Sequence, residues 1–149
     1  MSTQFSWPVP GGTRTSHNFR CKCPKHIGSD NGNGHPGVDI AAPEGRDIIA
    51  VADGIISAIE NNIVGFQEKS YGNYIEIEHT TNGVKNGLKT RYCHCVYKSV
   101  LGEKGGKVVK NQRIAKVGNS GNSQDAHLHF EVHKNNTLVD PYLYVSPNS

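Results

Sequence analysis

The stretch His127-Leu128-His129-Phe130-Glu131-Val132 decides the fold prediction. Polar and apolar residues alternate through it with the period of a β-strand, so its polar side chains face one way and its apolar side chains the other. The apolar face predicts a hydrophobic core. The polar face carries two imidazoles spaced about 7 Å apart along the backbone, which allows both to approach one small site. The stretch therefore predicts a strand that separates a core from a functional site.

Short β-type segments also lie upstream of this strand. Residues 74–78 alternate strictly between polar and apolar, and residues 47–52 and 55–59 flank Asp53-Gly54, a pair typical of a two-residue hairpin turn. Further strand-like runs cover residues 89–96, 108–109 and 114–117. Because no window has a convincing apolar period of 3.6 residues, the sequence predicts an all-β fold, an antiparallel sheet or sandwich with few or no helices.

Composition limits the class of protein. With 149 residues, 35% of them hydrophobic, the chain fits a single globular domain. Its net charge of +3 comes without a Lys/Arg cluster, which argues against nucleic acid as a partner. No run approaches the roughly 18 apolar residues of a membrane span, and residues 1–10 have no basic and apolar signal pattern, so we expect neither a span nor an export signal. Oligomeric state is not predicted.

A second polar cluster is His35-Pro36-Gly37-Val38-Asp39, in which Pro36 and Gly37 disfavour a helix. If the segment is extended, its imidazole and its carboxylate share a face. Two histidines and one aspartate, with a fourth position open to water, are a usual composition of a catalytic zinc site. The same residue types also form the facial triad of non-haem iron oxygenases, but the His-x-Asp spacing usual there is absent. The helical His-Glu-x-x-His motif of many zinc proteases is absent as well.

A third histidine occurs in the strand-like segment Arg91-Tyr92-Cys93-His94-Cys95. Simple alternation places Tyr92 and His94 on one face and Cys93 and Cys95 on the other, which argues against a catalytic pair between neighbouring cysteine and histidine. Tyr92 is interpreted as a core residue, because aromatic side chains are common in strands.

The four cysteines form two Cys-x-Cys pairs, Cys21/Cys23 and Cys93/Cys95. Structural zinc sites usually have at least two residues between paired cysteines. Disulfides or reduced thiols are therefore preferred to an all-cysteine zinc site, and the redox compartment stays open. One hypothesis is that the cysteines tie the segment before His35 to the strand of His94; the other is that they only pack there.

Together these motifs resemble the lysostaphin-type (M23) zinc endopeptidases of bacterial peptidoglycan. The resemblance spans about residues 30–145 of a single domain covering residues 1–149. It rests on His35-x-x-x-Asp39 followed by Ile40-Ala41-Ala42-Pro43, on Tyr92-x-His94, and on Gly118-Asn119-Ser120-Gly121-Asn122-Ser123 leading into the strand that begins at His127.

The resemblance implies one Zn²⁺ per chain, with His35, Asp39 and His129 as its ligands and His94 and His127 as catalytic histidines. It also implies a compact antiparallel β-fold with an active-site groove, and peptidoglycan as the substrate. The bond cut, in a stem peptide, a cross-link or an interpeptide bridge, is left open. So is the question of which catalytic histidine acts as the base and which stabilises the oxyanion.

Several alternatives stay open at this point. A non-catalytic zinc protein that binds the cell wall is the second hypothesis, although both catalytic histidines are present. A phage lysin or tail-associated wall-degrading enzyme is expected, with a secreted mature fragment as the other origin. Glu131 is either a hydrogen-bond partner of the site or a solvated carboxylate. The remaining histidines are interpreted as surface or loop residues: His17, His26, His79 and His133.

Overall fold

A computed structural model describes residues 5–15, 19–20, 36–62, 72–118 and 126–146. This part of the chain contains ten strands and one short 3₁₀ turn at Pro141–Leu143. The strands are β1 (Thr13–Arg14), β2 (Val38–Ala41), β3 (Asp47–Ile49), β4 (Gly54–Glu60), β5 (Asn73–Thr81), β6 (Val84–Cys95), β7 (Lys107–Val108), β8 (Arg113–Lys116), β9 (His127–Lys134) and β10 (Thr137–Val139).

The strands of the described residues form two sheets, and neighbouring strands within each sheet run antiparallel. The larger sheet has the order β1-β2-β9-β6-β5-β4-β7, with β10 added beside β9, while β3 and β8 make a small second sheet. The prediction of an antiparallel all-β fold is therefore confirmed. In the described ranges no helix is long and apolar enough to cross a membrane.

The hydrophobic core lies on one face of the large sheet. The alternation predicted for the His127 stretch is confirmed, because Leu128, Phe130 and Val132 belong to the core while the residues between them face the other way. Buried residues of the small sheet and of the amino-terminal segment belong to the same core, among them Ile48, Ile114, Phe5 and Trp7. The opposite face of β9 and its neighbours is thus left for polar groups.

The predicted hairpin around Asp53-Gly54 is wrong. Strand β3 pairs with β8 in the small sheet, whereas β4 pairs with β5 and β7. The segment between β3 and β4 is held by distant partners instead: the Ala50 amide donates to Gln112 and the Val51 amide donates to the Tyr92 hydroxyl. Burial of this segment in the core has overridden its local turn preference.

His79 is a second correction, because it is fully buried and not a surface residue. Its Nδ1 lies 3.0 Å from the Asp53 carbonyl oxygen and its Nε2 lies 2.8 Å from Thr90 Oγ1. Thr90 is in turn hydrogen-bonded to the hydroxyl of Tyr92 at 2.7 Å. Both polar atoms of the imidazole are satisfied, which makes its burial tolerable. His17 and His26 lie outside the described residues.

Candidate metal centre

The polar face of β9 carries His127, His129 and Glu131. All three are buried, with Glu131 only 1% exposed. Strand β9 lies between β2 and β6, so these side chains are flanked by polar residues from both neighbours. The polar face of β9 therefore carries a cluster of buried titratable side chains.

Strand β2 brings Asp39 to this site. Asp39 pairs directly with His129 across the ladder, so the two side chains project from the same face of the sheet. His129 Nδ1 lies 3.2 Å from Asp39 Oδ1, and His127 Nε2 lies 3.6 Å from the same oxygen. One buried carboxylate oxygen is thus approached by two imidazoles.

Strand β6 contributes His94. Its ring centroid lies 5.1 Å from that of His127 and 6.0 Å from that of His129. Tyr92, two residues earlier, faces the core and packs on Phe130 with ring centroids 5.3 Å apart. The core interpretation of Tyr92 is confirmed, but the prediction that Tyr92 and His94 share a face is wrong.

Tyr92 and His94 face opposite ways because the backbone at His94 has a φ of 62°. This left-handed conformation breaks the alternation of a strand, because successive side chains no longer point to opposite faces. His94 is therefore turned toward the histidines of β9, whereas regular alternation would have pointed it into the core.

The same irregularity separates the two described cysteines. Cys93 pairs with His129 across the ladder and so lies on the polar face, while Cys95 belongs to the core and its thiol donates to the Tyr92 carbonyl at 3.5 Å. The prediction that they share a face is wrong. Burial raises the pKa of both thiols. Cys21 and Cys23 lie outside the described residues, so their proposed tie is not tested.

The second ring nitrogen of His129, Nε2, also has a hydrogen-bond partner. His129 Nε2 lies 2.8 Å from Glu131 Oε2, so the interpretation of Glu131 as a hydrogen-bond partner is confirmed and the solvated alternative is wrong. Burial alone would raise the pKa of Glu131, but hydrogen bonds from His129 and His133 and the charge of Arg91 lower it well below its usual value. Glu131 is therefore ionised.

Two carboxylates thus flank one imidazole. Burial would lower the pKa of His129, but the hydrogen bonds to Asp39 and Glu131 and their negative charges raise it to about 9. The pocket around Nδ1 consequently favours positive charge, whether the charge is a proton or a metal cation. This is the electrostatic setting that a cation site requires.

The donor set fits a zinc ion. Carboxylate oxygen and imidazole nitrogen are usual ligands of catalytic zinc, and two donors of a tetrahedral zinc lie roughly 3.3 Å apart at the usual bond lengths. The 3.2 Å between His129 Nδ1 and Asp39 Oδ1 is compatible with that spacing. Within the described ranges no three His, Cys, Asp or Glu side chains are arranged so that together they could hold a metal ion, and the third predicted ligand, His35, lies outside those ranges.

Sequence reasoning missed the charged residues behind Glu131. Arg91 donates to Glu76 through Nε at 3.0 Å and through Nη2 at 2.6 Å, and its Nη1 lies 3.7 Å from Glu131 Oε1. His133, interpreted from the sequence as a surface or loop residue, is half-buried on β9, and its Nε2 lies 3.0 Å from Glu131 Oε1. Charged residues at alternating strand positions were a visible signal, but their partners depend on strand register.

Comparison with known proteins identifies the family. Residues 33–141 match the description "Peptidase family M23", and the chain belongs to this family. Peptidoglycan DD-endopeptidase ShyB of Vibrio cholerae is 37% identical over 106 residues, covering 71% of this chain and 22% of the relative. Several other curated relatives are likewise matched over only about a quarter of their own length.

Two solved structures extend the similarity to the fold. A zinc-containing peptidase from Vibrio cholerae superposes with a TM-score of 0.72 at 31% identity, covering 92% of this chain and 39% of that one. A catalytic-domain mutant of the prophage-encoded M23 protein EnpA from Enterococcus faecalis gives a TM-score of 0.68 at 27% identity, covering 95% and 97% of the two chains. The all-β architecture is thus shared with other M23 proteins.

Proposed function

We propose that this chain is a zinc-dependent endopeptidase that hydrolyses peptide bonds in bacterial peptidoglycan. The observation that carries the proposal is the meeting of His94, His127 and His129 beside the buried carboxylate of Asp39. Membership of peptidase family M23 and similarity to a peptidoglycan DD-endopeptidase support the same reaction.

The proposed metal ligands are His35, Asp39 and His129, which hold one zinc ion per chain. Bound zinc would supply a Lewis acid that polarises the scissile carbonyl and makes water a better nucleophile at neutral pH. Asp39 is the anionic ligand, and its position opposite His129 in the ladder keeps the two donors together. A rigid pair of strands is a suitable support for such a site, because little reorganisation is needed on binding.

The catalytic roles fall to His94 and His127. Both rings lie beside the proposed ligands, and an imidazole titrates close to neutral pH, where proton transfer in both directions is effective. One histidine takes the proton of the attacking water and delivers it to the leaving amine. The other donates a hydrogen bond to the oxyanion that develops on the substrate carbonyl.

Similarity to the relatives supports the domain, substrate and setting that we propose. The catalytic unit covers about residues 30–145, and the substrate is a peptide linkage of the cell wall. A phage-encoded wall-degrading enzyme is the proposed origin, supported by the similarity to the prophage-encoded M23 domain over nearly its whole length. The chain then acts on the wall as a lysin or as part of a virion.

The decisive experiment combines metal analysis with amine release from purified peptidoglycans, one directly cross-linked and one bridged by glycine. Wild type is expected to hold one zinc and to cut at least one of the walls. His127→Ala should keep zinc but lose roughly 10²- to 10⁴-fold in rate, as expected for a lost proton-transfer group. His129→Ala should lose zinc affinity, because it removes a ligand.

Lys116→Ala is the control, since Lys116 is exposed on β8 in the separate small sheet. It should match wild type in zinc content and rate. Zinc-loaded wild type that releases no amine from either wall would contradict the proposed function and favour a wall-binding protein. Zinc loss in His127→Ala with retention in His129→Ala would contradict the assigned roles.

A further inference from the structure

The polar face of the large sheet carries a row of alternating charges that ends at the proposed metal centre. Glu76 on β5 pairs directly with Arg91 on β6, and Arg91 pairs directly with Glu131 on β9. Residues opposite each other on neighbouring strands share a face, so the row runs straight across three strands. His129 and His133, each two residues from Glu131 on β9, lie on the same face on either side of the row.

Each member of the row is fixed by a contact between side chains. The Arg91 guanidinium donates twice to Glu76 Oε2, and Ser57 Oγ on β4 donates to Glu76 Oε1 at 2.9 Å. On the other side Arg91 Nη1 lies 3.7 Å from Glu131 Oε1. Arg91 therefore joins the two carboxylates and is itself anchored by the outer one.

Glu131 uses its two oxygens for different partners. Oε1 faces Arg91 and accepts from His133 Nε2 at 3.0 Å, while Oε2 accepts from His129 Nε2 at 2.8 Å. The side chain of Glu131 is only 1% exposed, so water does not replace these contacts. A buried carboxylate held on one side is a rigid acceptor for the ring on the other.

We propose that Glu131, held by Arg91, is a positioning residue that keeps the proton of His129 on Nε2 and directs Nδ1 toward Asp39 and the metal. This inference rests on the proposed function for the identity of the metal. A ligating histidine whose other nitrogen donates to a carboxylate has a fixed tautomer and ring orientation. Rotation of the His129 ring would break its hydrogen bond to Glu131. Water could not replace that hydrogen bond, because the Glu131 side chain is buried.

Zinc affinity then depends on a residue that does not touch zinc. Glu131→Gln keeps the shape of the side chain but removes the charge that pairs with Arg91 and weakens the acceptor. We expect zinc to bind about 10- to 100-fold more weakly, which is typical when such a partner is lost. The visible absorption of the Co²⁺-substituted protein should also change, because the orientation of a ligand ring is altered.

The test uses the full chain, stripped of metal, with zinc affinity measured by competition against a chromophoric chelator. Glu78→Gln is the matched control: it makes the same chemical change two residues from Glu76 on β5, at a carboxylate paired with Lys85 at 3.1 Å. It should leave zinc affinity and the Co²⁺ spectrum as in wild type. Thermal unfolding of each metal-free variant shows whether the variant is folded.

Arg91→Gln covers the case in which Glu131→Gln does not fold. It removes the anchor but leaves Glu131 in place, so a smaller fall in zinc affinity is expected. Wild-type zinc affinity and an unchanged Co²⁺ spectrum in a folded Glu131→Gln or Arg91→Gln protein would overturn the positioning role. Because peptidoglycan is not used, this result is separate from the proposed function: a wild type that binds zinc but cuts nothing refutes only the latter.

Discussion

At the scale of single residues, the site depends on one unusual backbone conformation. His94 has a φ of 62°, a region that side chains with a Cβ seldom occupy. Such strain persists only where the surrounding structure holds it, and it is often found at functional sites. Here the strained residue turns an imidazole out of the regular strand pattern and toward His127.

This conformation predicts that glycine is preferred to alanine at position 94. Both His94→Gly and His94→Ala remove the imidazole, so both should reduce amine release. Glycine adopts a positive φ without a steric penalty, whereas alanine pays about 1 kcal/mol or more. Urea unfolding should therefore show His94→Gly to be more stable than His94→Ala by about 1 kcal/mol. Equal stability, or a more stable alanine variant, would show that the left-handed conformation is absent.

At the scale of elements, the site depends on the close pairing of β2 with β9. Gly37 immediately precedes β2 and is buried against β9. A Cβ at this position would collide with the backbone carbonyl of Phe130 and would lie 3.0 Å from Glu131 Cγ. Backbone cannot yield as a flexible side chain can, so only glycine lets the two strands approach this closely.

The close approach predicts a severe effect of Gly37→Ala. Overpacking against a rigid neighbour typically costs 1–3 kcal/mol. We expect a loss of about 2 kcal/mol or more in unfolding free energy, together with weaker zinc binding, because β2 carries Asp39. Both quantities are measurable by urea unfolding and chelator competition.

Gly45→Ala is the control for that variant. Gly45 has a φ of 92°, but a Cβ there would meet no atom within 4 Å. Gly45→Ala should lower the unfolding free energy only by the conformational penalty of about 1 kcal/mol, and it should leave zinc affinity unchanged. If both glycine variants behaved alike, the steric role of Gly37 would be refuted.

At the scale of the whole molecule, a buried hydrogen-bond chain joins distant segments through the core. It runs from the Asp53 carbonyl through His79 and Thr90 to Tyr92, whose hydroxyl accepts from the Val51 amide. Burial is the main cause that lowers the pKa of His79, and hydrogen bonds to the backbone and the charge of Asp53 only partly oppose it. The folded protein therefore holds His79 neutral.

This predicts that the protein loses stability in mild acid. The unfolded chain takes up a proton at His79 near the ordinary value of 6.5, while the folded protein resists it. The contribution of His79 to stability is thus complete above about pH 6.5 and falls as the pH drops below it, whereas the raised pKa of His129 acts in the opposite direction and only above that pH. Thermal unfolding between pH 8 and pH 5 should show this fall in wild type and a smaller fall in His79→Gln. If the stability of wild type and of His79→Gln depended on pH in the same way, His79 would not be the cause of the loss of stability in acid.

The sequence by itself determined the features that depend on local period and residue chemistry. The alternation in residues 127–132 fixed which side chains of β9 face the core, and the residue types of the histidine and aspartate motifs predicted a zinc-type donor set, within which the resemblance to the M23 family singled out Asp39 and His129. Both predictions needed only the repeat of an extended backbone and the preferences of a metal ion.

Tertiary structure alone decided the rest. The partner of β3, the turn of His94 toward the site, the burial of His79 and the row from Glu76 through Arg91 to Glu131 all depend on contacts between residues far apart in sequence. A local sequence pattern indicates which secondary structure a segment prefers. Strand register and a strained backbone conformation such as that of His94 are decided by the packing of the whole core, which can outweigh that preference. The physical reason is that burial and cross-strand pairing contribute more free energy than the propensity of any short segment.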